Sequence, residues 1–331
     1  MTAHVVFGAG LIGGYLGGAL MAQGQEVGWV VRPATREKLD QGLLITDYAQ
    51  HRQKLEILHF IDPQAGGESA EVLWLTVKCT ALAAALENMA PLVGPNTIII
   101  CLQNGLGAES QVQAAFPCNQ VIRGVLSANV AELKPGHLHL ATEGGIDLPA
   151  LPETAPLETL SSELLTFTLH HDIEAMLWAK LHLNLNNAIN AISGIPLKEQ
   201  LAQRGYRRVL AAAMRELMKV AKAKQIKLLK LTRLPPSLLP PLMSSPDWVF
   251  TRVANQMLAI DPEARSSMWV DLSEGRKTEI DFLNGAIVEE GERLGIACPV
   301  NKKLQQLVRS IEVGEISQGI SSNELLHRVE E

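Results

Sequence analysis

The chain has 331 residues, 47% of them hydrophobic and 19% charged, with a formal net charge of −6. At about 150 residues per domain this is roughly two globular domains, and the apolar content excludes a disordered chain. The acidic balance leaves no global cationic field for nucleic acid. The four cysteines form no C-x-x-C pair that would mark a zinc site or a redox dithiol.

His4–Phe7 reads as a strand, followed by glycines and an apolar helix to about Gln23. The uncharged run from Val5 to Ala22 is long enough to raise a membrane helix. However, six of its residues are glycine, which weakens a helix and adds little transfer energy. No basic segment precedes it, so it is a poor signal peptide. No other long apolar run occurs, so the chain reads as cytoplasmic with no membrane partner. Val27–Val31, Val72–Val77 and Thr97–Cys101 are further strands, each bounded by turn or helix signals. Strands alternating with helices predict a parallel sheet. Lys134-Pro135-Gly136 followed by the alternation of His137 to Leu140 predicts a hairpin closing this domain. Leu148 to Pro156 carries three prolines and is expected to cross the surface.

From Asp172 the pattern is helical. Asp172 is a fitting N-cap for a helix to about Ser193, which Gly194 and Pro196 end. Further helices are expected at Tyr206–Lys224, Trp248–Ala259, Gly275–Leu294 and Lys302–Glu312. Arg233–Asp247 holds five prolines and reads as a loop, either a flap over a cleft or a surface decoration. The fold class is α/β: a Rossmann-like dinucleotide-binding domain over residues 1–168, then an all-helical substrate and catalytic domain over 169–331. Nine histidines are scattered, and the one adjacent pair, His170-His171, diverges in direction, so no metal site is expected.

Gly8-Ala9-Gly10-Leu11-Ile12-Gly13 fits G-x-G-x-x-G between a strand and a helix. The first glycine permits the tight turn, the second lets backbone approach a pyrophosphate, and the third lets helix and strand pack closely. The helix N-terminus offers N–H groups to the phosphates. A carboxylate at the end of the second strand would bind an NAD ribose. Here the strand ends in Arg32, which suits a 2′-phosphate, so NADPH/NADP is the expected cofactor. Lys180, Asn184 and Asn187 lie at i, i+4 and i+7 of the long helix and share a face. Trp178, Leu181, Leu185, Ile189 and Ile192 form the opposite, packing stripe. This pattern suits a polar substrate cleft, and an ordinary wet helix face would read the same way.

The order and spacing of these motifs resemble the ketopantoate reductase family (2-dehydropantoate 2-reductases) from Gly8 to about Leu307. The resemblance is carried by the glycine turn with Arg32, by Thr76-Val77-Lys78 and by Gln103-Asn104-Gly105-Leu106-Gly107. Trp178-Ala179-Lys180-Leu181-His182-Leu183-Asn184 continues it, with Ser266-Ser267-Met268 and Thr278-Glu279-Ile280-Asp281 in the C-terminal part. It implies NADPH-dependent reduction of 2-dehydropantoate to (R)-pantoate, a step towards pantothenate and coenzyme A. It further implies that Lys78 lies on the nicotinamide side and that Asn104 touches cofactor and substrate. Lys180 is then the general acid, Asn184 a substrate ligand and Ser267 a donor to the substrate carboxylate. Glu279 lies near cofactor and lysine, where a carboxylate can hold the lysine charged and oriented. The family's second asparagine, eight residues after the lysine, is replaced by Ala188, and Asn187 is the expected substitute. Another branched 2-oxo acid as substrate, and a non-catalytic NADP-binding sensor, remain as alternative readings. The small-molecule 2-oxo acid is the expected partner, and a homodimer is compatible with the helical second domain.

Overall fold

A computed structural model of the chain describes residues 2–65, 69–253 and 263–330. It divides into two units, residues 1–173 and 174–331.

In the first unit six strands form one parallel sheet. Their order is His59–Phe60, Val27–Val30, Thr2–Phe7, Ala70–Leu75, Ile98–Cys101 and Val121–Arg123. This is the doubly wound dinucleotide order, with its switch point between Thr2–Phe7 and Ala70–Leu75. Trp29 and Trp74 are fully buried, and the Trp74 indole donates to His4 Nδ1 at 3.2 Å. The uncharged N-terminal run becomes helix Leu11–Ala22. Its glycines answer a packing demand, since a Cβ on Gly17 would meet the Trp29 ring at 2.7 Å. Among the described residues no helix is long and apolar enough to cross a membrane.

The expected hairpin forms, with Val130–Lys134 antiparallel to His137–Leu140. It does not close the unit. His137–Leu140 pairs onward with Leu43–Asp47, which pairs with Arg52–Leu55, making a four-stranded sheet. Ile146–Pro149 joins Phe167–His170 and Val125–Leu126 in a third sheet. The expected surface crossing at Leu148–Pro156 holds for Ala150, Pro152, Glu153, Ala155 and Pro156, which are exposed, but the segment starts and turns on buried residues. Leu148 is fully buried, and the Thr154 hydroxyl donates to Pro149 O at 2.5 Å and accepts from Leu151 N at 3.1 Å. The prolines fit because Pro149 ends a strand and Pro156 lies in the first turn of helix Ala155–Glu158.

Among its described residues the second unit is helical, without strands. The helix expected from Asp172 to Ser193 is two, Ile173–Asn184 and Asn186–Ser193. They meet at Leu185, which stays near helical geometry (φ −57°, ψ −23°) and whose N–H still reaches Leu181 O at 3.1 Å. Asparagines on both sides of the joint have poor helix propensity. Gly194 ends the pair in the left-handed region (φ 70°), as a C-terminal glycine does. The helix expected at Gly275–Leu294 is corrected to Asn284–Arg293. Gly275 (φ 66°) terminates the preceding helix Ser267–Ser273 instead of opening the next. The Glu312 carboxylate then takes the Thr278 N–H at 2.7 Å. Helices Arg204–Ala223 and Pro299–Glu312 stand near their expected places. Of the helix expected at Trp248–Ala259, Asp247–Val253 is seen and the remainder lies outside the described residues.

The proline-rich stretch is corrected most. It forms a turn of 3-10 helix at Pro236–Leu238 and the helix Leu239–Ser244, with Leu239, Pro240, Leu242 and Met243 buried. Arg207, 0% exposed, fastens its far end. The guanidinium donates to Met243 O at 3.3 Å, to Ser245 O at 3.1 Å and to Asp247 Oδ1 at 2.8 Å. It also donates to Leu201 O at 2.9 Å and Ala202 O at 3.1 Å, and lies 4.1 Å from the Phe250 ring centroid. The stretch is thus a packed part of the helical unit.

His182 is buried, and its Nε2 has no hydrogen-bond partner. Burial pushes its pKa down to about 4. In the unfolded chain a histidine titrates near 6.5, so between these values the unfolded state binds more protons. The resulting stability is present above pH ~6.5 and is lost as pH falls towards 4, by roughly 3 kcal/mol. Urea unfolding at pH 7 and pH 4.5 is expected to register this loss in the wild type and much less of it in His182→Gln. Comparing the two chains cancels His4, whose pKa burial also lowers. Equal pH slopes in both chains would contradict the assignment.

Candidate active site

The glycine turn lies at the switch point of the parallel sheet. Gly8 takes φ 97°, a conformation that costs glycine little, and its N–H donates to Val30 O at 3.0 Å. A Cβ there would meet Val77 N at 2.9 Å, and one on Gly13 would run into the Thr76 side chain. The Thr76 hydroxyl donates to Gly8 O at 2.8 Å and Phe7 O at 3.2 Å, tying the turn to the neighbouring strand. Gly10 differs: the nearest protein atom to its missing Cβ is Gly8 O at 4.0 Å, so no protein packing demands a glycine. Beside it the helix Leu11–Ala22 starts with no side-chain cap and no acidic residue in its first turn. Ala9 is buried, Ile12 half-buried and Leu11 exposed.

Arg32 follows the second strand with its side chain exposed. Its carbonyl accepts from Thr35 N at 2.9 Å and Arg36 N at 3.0 Å, which starts helix Pro33–Leu39. An open approach at Gly10, an uncapped helix N-terminus and an exposed guanidinium fit a phosphorylated dinucleotide.

Lys78 is exposed and extended (φ −62°, ψ 150°), just past Ala70–Leu75. The Cys79 thiol donates to Asn104 O at 3.3 Å, so Lys78 and Asn104 belong to neighbouring segments. The Asn104 loop is held by a residue that the sequence does not flag. Arg123, buried at the end of the last strand, donates to Gln103 O at 2.9 Å, to Gly105 O and to Glu109 Oε2 at 2.7 Å. A charged residue closing a three-residue strand carries no signal of burial in its own neighbourhood. Burial also raises the Cys101 thiol pKa to about 12, so it stays neutral beside Arg123.

In the second unit Lys180, Asn184 and Asn187 are each half-buried. The packing stripe is confirmed: Trp178, Leu181, Leu185, Ile189 and Ile192 are at most 1% exposed. Ala188 is also fully buried, so position 188 turns into the packing while 187 stays on the polar edge. Asn190 and Asn186 are spent within the fold. Asn190 Nδ2 donates to Ile195 O and its Oδ1 accepts from Ser266 N, both at 2.9 Å. Asn186 Oδ1 accepts from Gln200 Nε2 at 2.8 Å.

The Ser266 hydroxyl donates to Asn187 O at 3.3 Å and accepts from Trp269 N at 3.1 Å, capping helix Ser267–Ser273. This brings the exposed Ser267 beside the Asn187 segment. The side-chain amides of Asn184 and Asn187 and the Ser267 hydroxyl form no hydrogen bond among the described residues. Glu279 is buried in the irregular lead-in to Asn284–Arg293, and its carbonyl accepts from Phe282 N at 3.0 Å. Among the described residues no group of three or more metal-ligating side chains converges.

Residues 4–153 match the family model described as Ketopantoate reductase PanE/ApbA, and residues 172–312 match its C-terminal counterpart. A 2-dehydropantoate 2-reductase of Archaeoglobus fulgidus is 28% identical over 319 residues, covering 93% of this chain and 97% of that protein. A PanE/ApbA family ketopantoate reductase structure from Ralstonia eutropha superposes with a TM-score of 0.79 at 28% identity, covering 94% of this chain and 98% of that one. D-mandelate dehydrogenase with NADH and anilino(oxo)acetate superposes with a TM-score of 0.76 at 22% identity, over 94% of this chain and 98% of that one; that likeness is of fold alone.

Proposed function

We propose, from the premise that the chain belongs to the ketopantoate reductase family of NAD(P)-dependent oxidoreductases, that it reduces 2-dehydropantoate to (R)-pantoate with NADPH. The product serves pantothenate and coenzyme A synthesis. The observation that carries the substrate reading is the polar edge of the lysine helix. Lys180 lies on it with two side-chain amides, Asn184 and Asn187, that the fold does not use, above a fully buried stripe and with Ser267 alongside.

The N–H groups of Leu11 and Ile12 would receive the pyrophosphate, Gly10 would leave room for its approach while its own N–H donates to Gly8 O, and Arg32 would take the 2′-phosphate. When bound, the cofactor supplies a hydride to the 2-oxo carbon. Lys180 donates a proton to the ketone oxygen and stabilises the alkoxide forming there. Glu279 orients that ammonium. Ser267 donates to the substrate carboxylate, and Asn184 with Asn187 hydrogen-bonds its hydroxyl. Asn104 positions ring and substrate, with Lys78 on the nicotinamide side.

Losing a hydrogen bond to a charged group costs about 1.5–3 kcal/mol, or roughly 10–100-fold. Arg32→Ala is therefore expected to lower kcat/KM for NADPH by that factor and to leave the value for NADH nearly unchanged. Equal losses with both cofactors would show that Arg32 does not read the 2′-phosphate.

The substrate reading is tested with 2-dehydropantoate against 3,3-dimethyl-2-oxobutanoate, its analogue without the hydroxyl. A site built to bond that hydroxyl rejects the analogue by roughly 10⁴-fold in kcat/KM. Comparable values would favour a reductase of another branched 2-oxo acid, the reading that Ala188 motivates. NADPH binding without turnover of either would indicate a sensor.

A further inference from the structure

We propose that Arg123 is a positioning residue, which fixes the Asn104 loop and through it the reaction geometry. The inference rests on the role proposed for Asn104.

Arg123 pairs in register with Cys101, at the point where the chain leaves the sheet to form this loop. Its side chain is 6% exposed. One nitrogen, Nη2, donates to the carbonyls of Gln103 and Gly105, the two residues that bracket Asn104. The carbonyl of Asn104 itself accepts from Cys79 Sγ at 3.3 Å. Three consecutive carbonyls are thus held by groups from other elements, the strand Val121–Arg123 and the 3-10 turn Cys79–Ala81. The Gln103 amide adds a fourth tie, donating to Leu75 O at 3.1 Å. Two left-handed glycines, Gly105 (φ 84°) and Gly107 (φ 88°), turn the chain directly after Asn104.

This is an expensive way to make a stable loop. A buried cation needs every donor matched, and Arg123 Nε is buried without a partner. Well-packed apolar side chains serve stability at least as well as a buried ion pair. The charge of Arg123 is also balanced by Glu109 at 2.7 Å, so the pair contributes little net field to its surroundings. What a planar guanidinium contributes, and an apolar side chain cannot, is a rigid fork that ties the two carbonyls, through Nη2, to Glu109, through Nη1. Loops are mobile by default, and a displacement of about 1 Å in a group that orients reactants can cost roughly 100-fold in rate. The geometry therefore points to a clamp that holds the Asn104 amide in one place.

The test is a double-mutant cycle in the full chain, with Arg123→Lys, Asn104→Ala and both together. Lysine keeps the charge but replaces the rigid two-nitrogen fork, which holds Glu109 through Nη1 and both carbonyls through Nη2, with one compact ammonium on a flexible stem. Arg123→Lys is expected to lower kcat/KM for 2-oxo acid reduction by about 100-fold. If Arg123 acts through Asn104, the double variant is no worse than Asn104→Ala alone. Amide hydrogen exchange supplies a readout independent of substrate. In Arg123→Lys, exchange over residues 102–108 should accelerate at least about tenfold, while residues 8–14 remain as in the wild type. Additive losses in the cycle, or unchanged exchange in the loop, would overturn the proposal.

Should Arg123→Lys fail to fold, Glu109→Gln loosens the same clamp from its outer side and is expected to give the same pattern at smaller size. A wild type that reduces no 2-oxo acid would refute the proposed function, and the exchange comparison would still decide whether Arg123 holds the loop.

Discussion

Lys180→Ala is expected to lower kcat for 2-oxo acid reduction by about 10²–10⁴-fold, the usual contribution of a positioned general acid. The fold should survive. Lys180 is half-buried in helix Ile173–Asn184, and alanine is the best helix former. The neighbours that hold this helix down, Trp178 and Leu181, are on the buried stripe and lose nothing. NADPH affinity, assigned to the glycine turn and Arg32, should stay within a few-fold of the wild type. Lys180→Arg is the informative companion. It restores the positive charge, but a guanidinium does not give up its proton readily. A variant that regains substrate binding without regaining kcat would separate proton donation from charge stabilisation. Near-wild-type turnover in a folded Lys180→Ala would remove Lys180 from the chemistry.

Arg207→Met should be the most destabilising change in the second unit. Four backbone carbonyls and the Asp247 carboxylate converge on this fully buried guanidinium. Removing one side of such a buried arrangement costs about 3–5 kcal/mol. For a unit of this size that lowers Tm by roughly 10 °C. Because three of the partners lie between Met243 and Asp247, the proline-rich stretch should also become the first site of limited proteolysis. Thermal melts and timed digestion check both effects together. A shift in Tm below about 2 °C would mean that the stretch is held by Leu239, Leu242 and Met243 alone.

Long apolar runs made the parallel sheet legible. Val27–Val30, Ala70–Leu75 and Ile98–Cys101 are each bounded by turn or helix signals. His59–Phe60 and Val121–Arg123 carry no such pattern, being two and three residues long, and they exist because neighbours offer an edge. Proline misled at 233–247. It cannot continue a helix from within but fits the first turn, which is where Pro240 and Pro241 lie in Leu239–Ser244. Gly275 misled in the same way, since a glycine after a helix and one before the next look alike in sequence.

At the site, the glycine turn was legible because its spacing is itself the mechanism. The asparagine run was only partly so. Periodicity placed Asn187 near the Lys180 face, but Asn190 is withdrawn by Ser266, 76 residues away. No local pattern encodes that withdrawal, nor the hold of Arg123 on Gln103 across 20 residues.

The most direct test of the central claim is the loss of NADPH absorbance when purified protein meets 2-dehydropantoate, run beside an NADH control. Rapid loss with NADPH, little with NADH, and (R)-pantoate as product is the predicted result. NADPH that binds but is not consumed would contradict it, as would equal use of both cofactors.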